Sequence, residues 1–190
     1  MGIDINRLIW FADKHASGKK VLLFLVLQLA MGGLMLGIVN RFSLLAHGML
    51  PLDVTFFYGT DAALQFFATI PAEAAQFYLQ VLSPLDLVFP ALYSFSFALI
   101  VVWLLKKVAQ RGLLLSHWLV LYPFVVALFD YLENIGIVSM LHLNPALPQA
   151  LVQATSLFSS LKWLGAFVGM GVLAYLLFKW KQRDPTESVA

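Results

Sequence analysis

The segment Phe129-Asp130-Tyr131-Leu132-Glu133-Asn134 carries three polar side chains inside a stretch, 115 to 140, that is otherwise almost wholly apolar. Asp130, Glu133 and Asn134 follow an i, i+3, i+4 spacing, which places all three on one face of a helix. A charge at the centre of a membrane helix costs about 2.5 to 3.5 kcal/mol on insertion scales, so two carboxylates there need an interior site, a partner or a proton. Lys162 is a partner at matching depth. Asp130 lies roughly 21 Å from the start of its segment, and Lys162 roughly 16 Å into the following one, at 1.5 Å per residue. Asp86 and Tyr93, seven residues apart on the preceding apolar segment, can face the same region. Thr155, Ser159 and Lys162 share a helix face, with Ser156 and Ser160 beside it. Together these residues predict a polar pocket in the outer half of a helical bundle, open to the outer side.

Two neighbouring carboxylates tend to share a proton, which suits a general acid or a proton carrier. Asp130 and Glu133 are therefore the candidate catalytic groups. Asp86, Tyr93, Asp130, Glu133, Asn134 and Lys162 are the candidate ligand-binding set. The opposing reading is a buried ion-pair network that fixes helix register without any further task. No metal site and no cofactor are expected. His142 lies eight residues beyond Asn134, and His15, His47 and His117 have no paired ligand spacing. The chain has no Cys, which excludes thiolate catalysis, disulfide exchange, Cys-ligated zinc and iron–sulfur clusters within this chain. It also lacks GxSxG, P-loop and HExxH motifs.

The elements that must hold these residues follow from hydropathy. Hydrophobic residues make up 61% of the chain and charged residues 12%, with a mean hydropathy of +0.86, a balance suited to a bilayer rather than to water. Four apolar segments reach the roughly 20 residues that a membrane helix needs: 21–42, 85–105, 115–140 and 150–178. They show no period of two, so helices and not barrel strands are expected. The fold class is thus an all-α membrane protein, a four-transmembrane-helix bundle in one membrane domain. Residues 1–20 precede the first span, with a short interfacial helix over 3–16, and 179–190 form a tail. The first span is too long, and lacks the small-residue cleavage site, for a signal peptide. Asn6 stands where a myristoylation signal requires Ser or Thr.

The connection 43–84 is expected to form an outer loop of two short helices. Thr60 is a plausible N-cap before Asp61, and Pro71 with Glu73 opens a second helix ending before Ser83-Pro84. Phe56, Phe57, Tyr58, Phe66, Phe67, Phe77 and Tyr78 make the loop an aromatic interfacial belt or a lid on the bundle. Gly33 and Gly37 in the first span, and Gly165 and Gly169 in the fourth, have the GxxxG spacing of close helix packing. Pro90 and Pro123 are expected to kink their helices.

Basic residues orient the bundle. Arg7, Lys14, Lys19, Lys20, Lys106, Lys107, Arg111, Lys179, Lys181 and Arg183 all fall on one side of a four-span arrangement. The positive-inside bias makes that side, with both termini, cytoplasmic. The net charge of +2 therefore reflects topology, and nucleic acid is not an expected partner.

Asp86-Leu87-Val88-Phe89-Pro90-Ala91-Leu92-Tyr93, Phe129-Asp130-Tyr131-Leu132-Glu133-Asn134 and Leu161-Lys162-Trp163 together resemble the pattern of small, functionally uncharacterised bacterial four-helix integral membrane proteins, over about residues 55 to 178. The resemblance implies the fold, a shared polar cluster and a bacterial inner-membrane location, and it assigns no reaction. Three functional classes remain: binding or processing of a hydrophobic or lipid-like ligand, an accessory or scaffolding subunit of a membrane complex, and a proton-coupled transporter working as a homo-oligomer. The first is preferred.

Overall fold

The computed structural model describes residues 14–108 and 115–182. The expected interfacial helix over 3–16 lies largely outside these residues, as do residues 109–114 of the basic loop expected between 105 and 115, whose Lys106 and Lys107 belong to the end of a helix, and most of the 179–190 tail.

Among the described residues, helix is the regular structure throughout: α1 Gly18–Leu45, α2 Thr60–Thr69, α3 Ala72–Phe77, α4 Ser83–Val108, α5 Leu115–Leu143 and α6 Gln149–Lys181. Four helical stretches are long and apolar enough to cross a membrane: Gly18–Leu45, Ala72–Val108, Trp118–Leu143 and Gln149–Lys181. The expected segments 21–42, 85–105 and 150–178 lie inside the first, second and fourth of these, and 115–140 coincides with the third from Trp118 onward. The helices overrun the expected spans because hydropathy marks the apolar stretch, whereas backbone hydrogen bonding continues into flanking residues.

The expectation of two separate helices in the 43–84 loop is corrected in one respect. α3 begins behind Pro71 as anticipated, but it does not stop before Ser83-Pro84. A wide turn over Tyr78–Leu82 joins it to α4, with the Ser83 N–H reaching back five residues to Tyr78 O. Pro84 has no N–H, and its ring would crowd the carbonyl four residues back in a regular helix. The wide turn provides the room and lets the helix continue. The joined stretch of 37 residues is roughly 55 Å long at 1.5 Å per residue, well beyond the roughly 30 Å of a hydrocarbon core. Thr60 is also not the cap of α2: the extended Gly59 occupies that position, and Asp61 lies in the first turn.

α4 is the central helix. It packs against α1, α5 and α6, and α5 packs along α6, whereas α1 and α6 form no extended contact with one another. The α5–α6 contact depends on a notch. A Cβ at Gly136 would stand 2.1 Å from Thr155 Oγ1 and 2.7 Å from Thr155 Cγ2, so only glycine lets these backbones approach so closely. Pro123 is built into the α4–α5 contact, where its carbonyl accepts a hydrogen bond from Ser94 Oγ at 2.9 Å.

The two glycine pairs differ. Gly165 and Gly169 face Val126 and Phe97 at close range, while nothing lies within 4 Å of a Cβ placed at Gly33 or Gly37. The expectation of close packing therefore fails for the first pair within this chain, because α1 turns that face away from its neighbours.

The segment between α1 and α3 folds back over one end of the bundle. His47 and Gly48 take positive φ angles of 54° and 92° and reverse the chain after α1. At Gly48 the absence of a Cβ makes this conformation accessible. Phe42, Phe66, Phe67, Tyr58 and Tyr78 are buried together with Ile137, Met140 and Val152. Phe42 stacks on Phe66 with centroids 6.4 Å apart and meets Tyr78 edge-on at 5.9 Å. These aromatics form a plug at that end of the bundle, whereas Phe56 and Phe57 remain exposed. Elsewhere the outer faces of α1 and α6 are apolar and exposed, including Leu22, Leu29, Leu36, Leu164, Phe167 and Phe178.

Candidate functional site

Beneath the plug, α5 presents Asp130, Glu133 and Asn134 to the interior, and all three are buried. Their common face is the one predicted by the i, i+3, i+4 spacing. Lys162 reaches this face from α6. It is ion-paired with Glu133, and its Nζ lies 3.6 Å from Asp130 Oδ1. Tyr93 on α4 donates its hydroxyl to Asp130 Oδ2 at 3.1 Å. Asp86, also on α4, is tied in through its backbone carbonyl, which accepts from Asn134 Nδ2 at 3.4 Å. All six residues of the expected ligand-binding set thus converge from three helices.

A seventh residue was not foreseen. Asp53 lies on a 3-10 turn, Leu52–Val54, and is buried. Its carbonyl accepts a hydrogen bond from Lys162 Nζ at 2.9 Å. Burial pushes the Asp53 carboxyl up to about 6, against the opposing pull of the Lys162 ammonium. Nothing in its sequence context separates it from an ordinary turn Asp. A carboxylate in a loop carries no cost that would mark it, unlike one in the middle of a span.

The hydroxyl-rich face of α6 has a different role from the expected one. Ser159 Oγ donates to Thr55 O at 2.6 Å, Ser160 Oγ to Phe56 O at 3.0 Å, and Ser156 Oγ accepts from the Tyr58 N–H at 3.0 Å. With Lys162 on Asp53 O, these bonds fasten the connecting stretch from Asp53 to Tyr58 along α6. The backbone groups of a non-helical segment need partners away from water, and this face supplies them. The expected opening at the loop-bearing end is therefore covered. Thr155 turns its hydroxyl to Leu151 O within its own helix, at 2.8 Å.

The space beside the cluster instead extends away from the plug, between α1, α4, α5 and α6. It is a cavity of about 550 Å³. Asp53, Asp86, Tyr93, Asp130 and Lys162 line its polar end, while Met35, Phe89, Phe97, Ile100, Val126 and Leu173 form part of its apolar wall. Gln28 and Trp163 also line it; Gln28 was not singled out from the sequence, and Trp163 entered only through the Leu161-Lys162-Trp163 pattern. Gly165 and Gly169 border it too, so the close packing of the fourth-span glycines also shapes the cavity.

His142 does not join the cluster through any observed bond, and its Nδ1 pairs with Val138 O of its own helix at 2.8 Å. Among the described residues, no group of three His, Cys, Asp or Glu side chains has the arrangement of a metal site. Chemically, the site offers fixed charge and hydrogen-bonding groups at the end of an apolar chamber. Such a chamber holds the body of a small molecule while a few convergent polar groups fix its head. In comparisons with known proteins, no family model, curated protein or solved structure matches the chain.

Proposed function

We propose that this chain is a multi-pass membrane protein that binds, or binds and processes, a hydrophobic or lipid-like ligand in the cavity between α1, α4, α5 and α6. The observation that carries this reading is the cavity itself: about 550 Å³, apolar along its length, with Asp53, Asp86, Asp130 and Lys162 gathered at one end. A purely structural ion-pair network needs no such volume beside it, and close packing is the ordinary state of a bundle interior. In this reading the helices cross a bacterial inner membrane with the loop-bearing end outside and both termini in the cytoplasm, as the distribution of basic residues favours. The gap between α1 and α6 then gives the ligand a lateral path from the bilayer.

The accessory-subunit reading has one observation in its favour, the internal pairing of Lys162 with Glu133, Asp130 and the Asp53 carbonyl. The two readings part on one substitution. Gly32 lines the cavity, and a Cβ placed there meets nothing within 4 Å. Gly32→Leu therefore adds bulk to the chamber from a wall position whose Cβ is unobstructed, narrowing it, and removes a helix-interior glycine. Wild type and variant are purified in mild detergent, and their bound lipids are extracted for mass spectrometry. The expected result is a species enriched on the wild type and lost from a variant that melts no lower. Identical lipid profiles on both proteins would sink the ligand reading and leave the accessory role.

A further inference from the structure

The ionisable side chains at the polar end are four acids, Asp53, Asp86, Asp130 and Glu133, against one base, Lys162. Asp53, Asp86, Asp130 and Lys162 line the cavity, and Glu133 lies behind them, fully buried. Lys162 is committed to Glu133, Asp130 and the Asp53 carbonyl. Asp53 and Asp86 remain, one on the loop turn and one on α4, each more than nine-tenths buried at 6% and 5% exposure. Asp53 Oδ1 has no hydrogen-bond partner among the described residues, and neither does Gln28 Oε1 on the α1 wall. Against these acceptors stands one buried donor of the lining without a partner, Trp163 Nε1.

Buried acceptors without donors are costly, and buried carboxylates without a counter-charge more so. The group that complements them is a cation bearing N–H donors. An anionic head would meet acidic side chains from two directions, and Lys162, the one lysine among the described lining residues, is already engaged. We propose that the ligand taken by this cavity is an amphiphile with an amine head, its ammonium seated between Asp53 and Asp86 and its apolar body lying along the wall towards Phe97 and Leu173. The proposal rests on the ligand-binding reading above and specifies its substrate class. It excludes fatty acids and phosphate-headed lipids as preferred ligands, because their heads would add a further acid to a site where acids outnumber bases.

Three probes that differ in their heads provide the test: dodecylamine, dodecanol and dodecanoic acid. Each is titrated into wild type in phosphatidylcholine nanodiscs near neutral pH, with Gly32→Leu as the control for general partitioning into lipid. Binding is read from the melting temperature and from cavity-dependent displacement of a fluorescent alkylamine. Dodecylamine should bind the wild type at least about tenfold more tightly than dodecanoic acid, and Gly32→Leu should abolish the difference. Asp53→Asn with Asp86→Asn should weaken the amine by about tenfold while leaving dodecanol unchanged. Asp86→Asn alone serves should the double variant fail to fold. Equal amine affinity in the variants, or a preference for dodecanoic acid, overturns the head-group assignment and leaves the ligand-binding reading in place. Failure of all three probes to bind in a Gly32-dependent way overturns both.

Discussion

Glu133 on α5, with no exposed surface, is ion-paired to Lys162 on α6. The same ammonium is held by Asp53 O at 2.9 Å. One lysine thereby joins two helices and the loop that covers them. Removing it leaves buried acids without a counter-charge and frees the loop turn at once.

Lys162→Met should accordingly destabilise the protein by about 3 to 5 kcal/mol, the range for breaking a truly buried pair. Glu133→Gln in the same chain should restore part of that loss, since it removes the charge left behind. Reversible unfolding of wild type, both single variants and the double variant supplies the coupling energy. Strictly additive losses would mean that the two side chains do not stabilise each other.

The glycine contacts give a second expectation that separates α5 from α1. Gly136→Ala drives a methyl group into Thr155 and should cost about 1 to 3 kcal/mol, as overpacking of a tight interior does. Thr155→Ala removes the two nearest atoms, Oγ1 and Cγ2, but keeps the Cβ at 2.9 Å, and should recover part of it. Gly33→Ala and Gly37→Ala meet no neighbour within 4 Å and should leave the melting temperature unchanged or raise it. A large loss at Gly33 together with a silent Gly136→Ala would contradict this packing.

Asp53 predicts a pH dependence. Its carboxyl is raised by burial from 3.8 to about 6, so the folded protein binds this proton more tightly than the unfolded chain does. The stability that it contributes is complete below 3.8 and is lost as the pH rises through about 6. Melting temperatures of wild type and Asp53→Asn, measured across that window, should diverge, with the wild type declining relative to the variant as the pH rises. Parallel curves would show that Asp53 titrates alike in the folded and unfolded chains.

Topology is open to direct labelling because the natural sequence has no cysteine to remove. His47→Cys should react with an impermeant maleimide in intact cells, and Ala109→Cys should react only after permeabilisation. Labelling of Ala109→Cys in intact cells with His47→Cys protected would invert the orientation.

The sequence by itself determined the four long apolar helices and the face shared by Asp130, Glu133 and Asn134. Both are local properties: hydropathy accumulates along a segment, and the helical period fixes which side chains align. It also pointed to Lys162, Asp86 and Tyr93, because a polar group in an apolar run has few places to go. Tertiary structure decided how these groups are used. The hydroxyls of Ser156, Ser159 and Ser160 looked like a pocket lining, yet they fasten the stretch from Asp53 to Tyr58. Their partners are backbone groups about a hundred residues away, and backbone groups carry no sequence signal. Asp53 entered the cluster by the same route, delivered by the path of the loop and not by any period. The continuation of α3 into α4 past Pro84 depended on a single wide turn, whose cost or benefit is set by the packing of Tyr78 and Leu82 in the plug. The cavity likewise lies where α1 and α6 both pack on α4 without an extended contact with each other. Which helices touch is a balance among many weak contacts across the whole bundle, and no single segment of the chain encodes that balance.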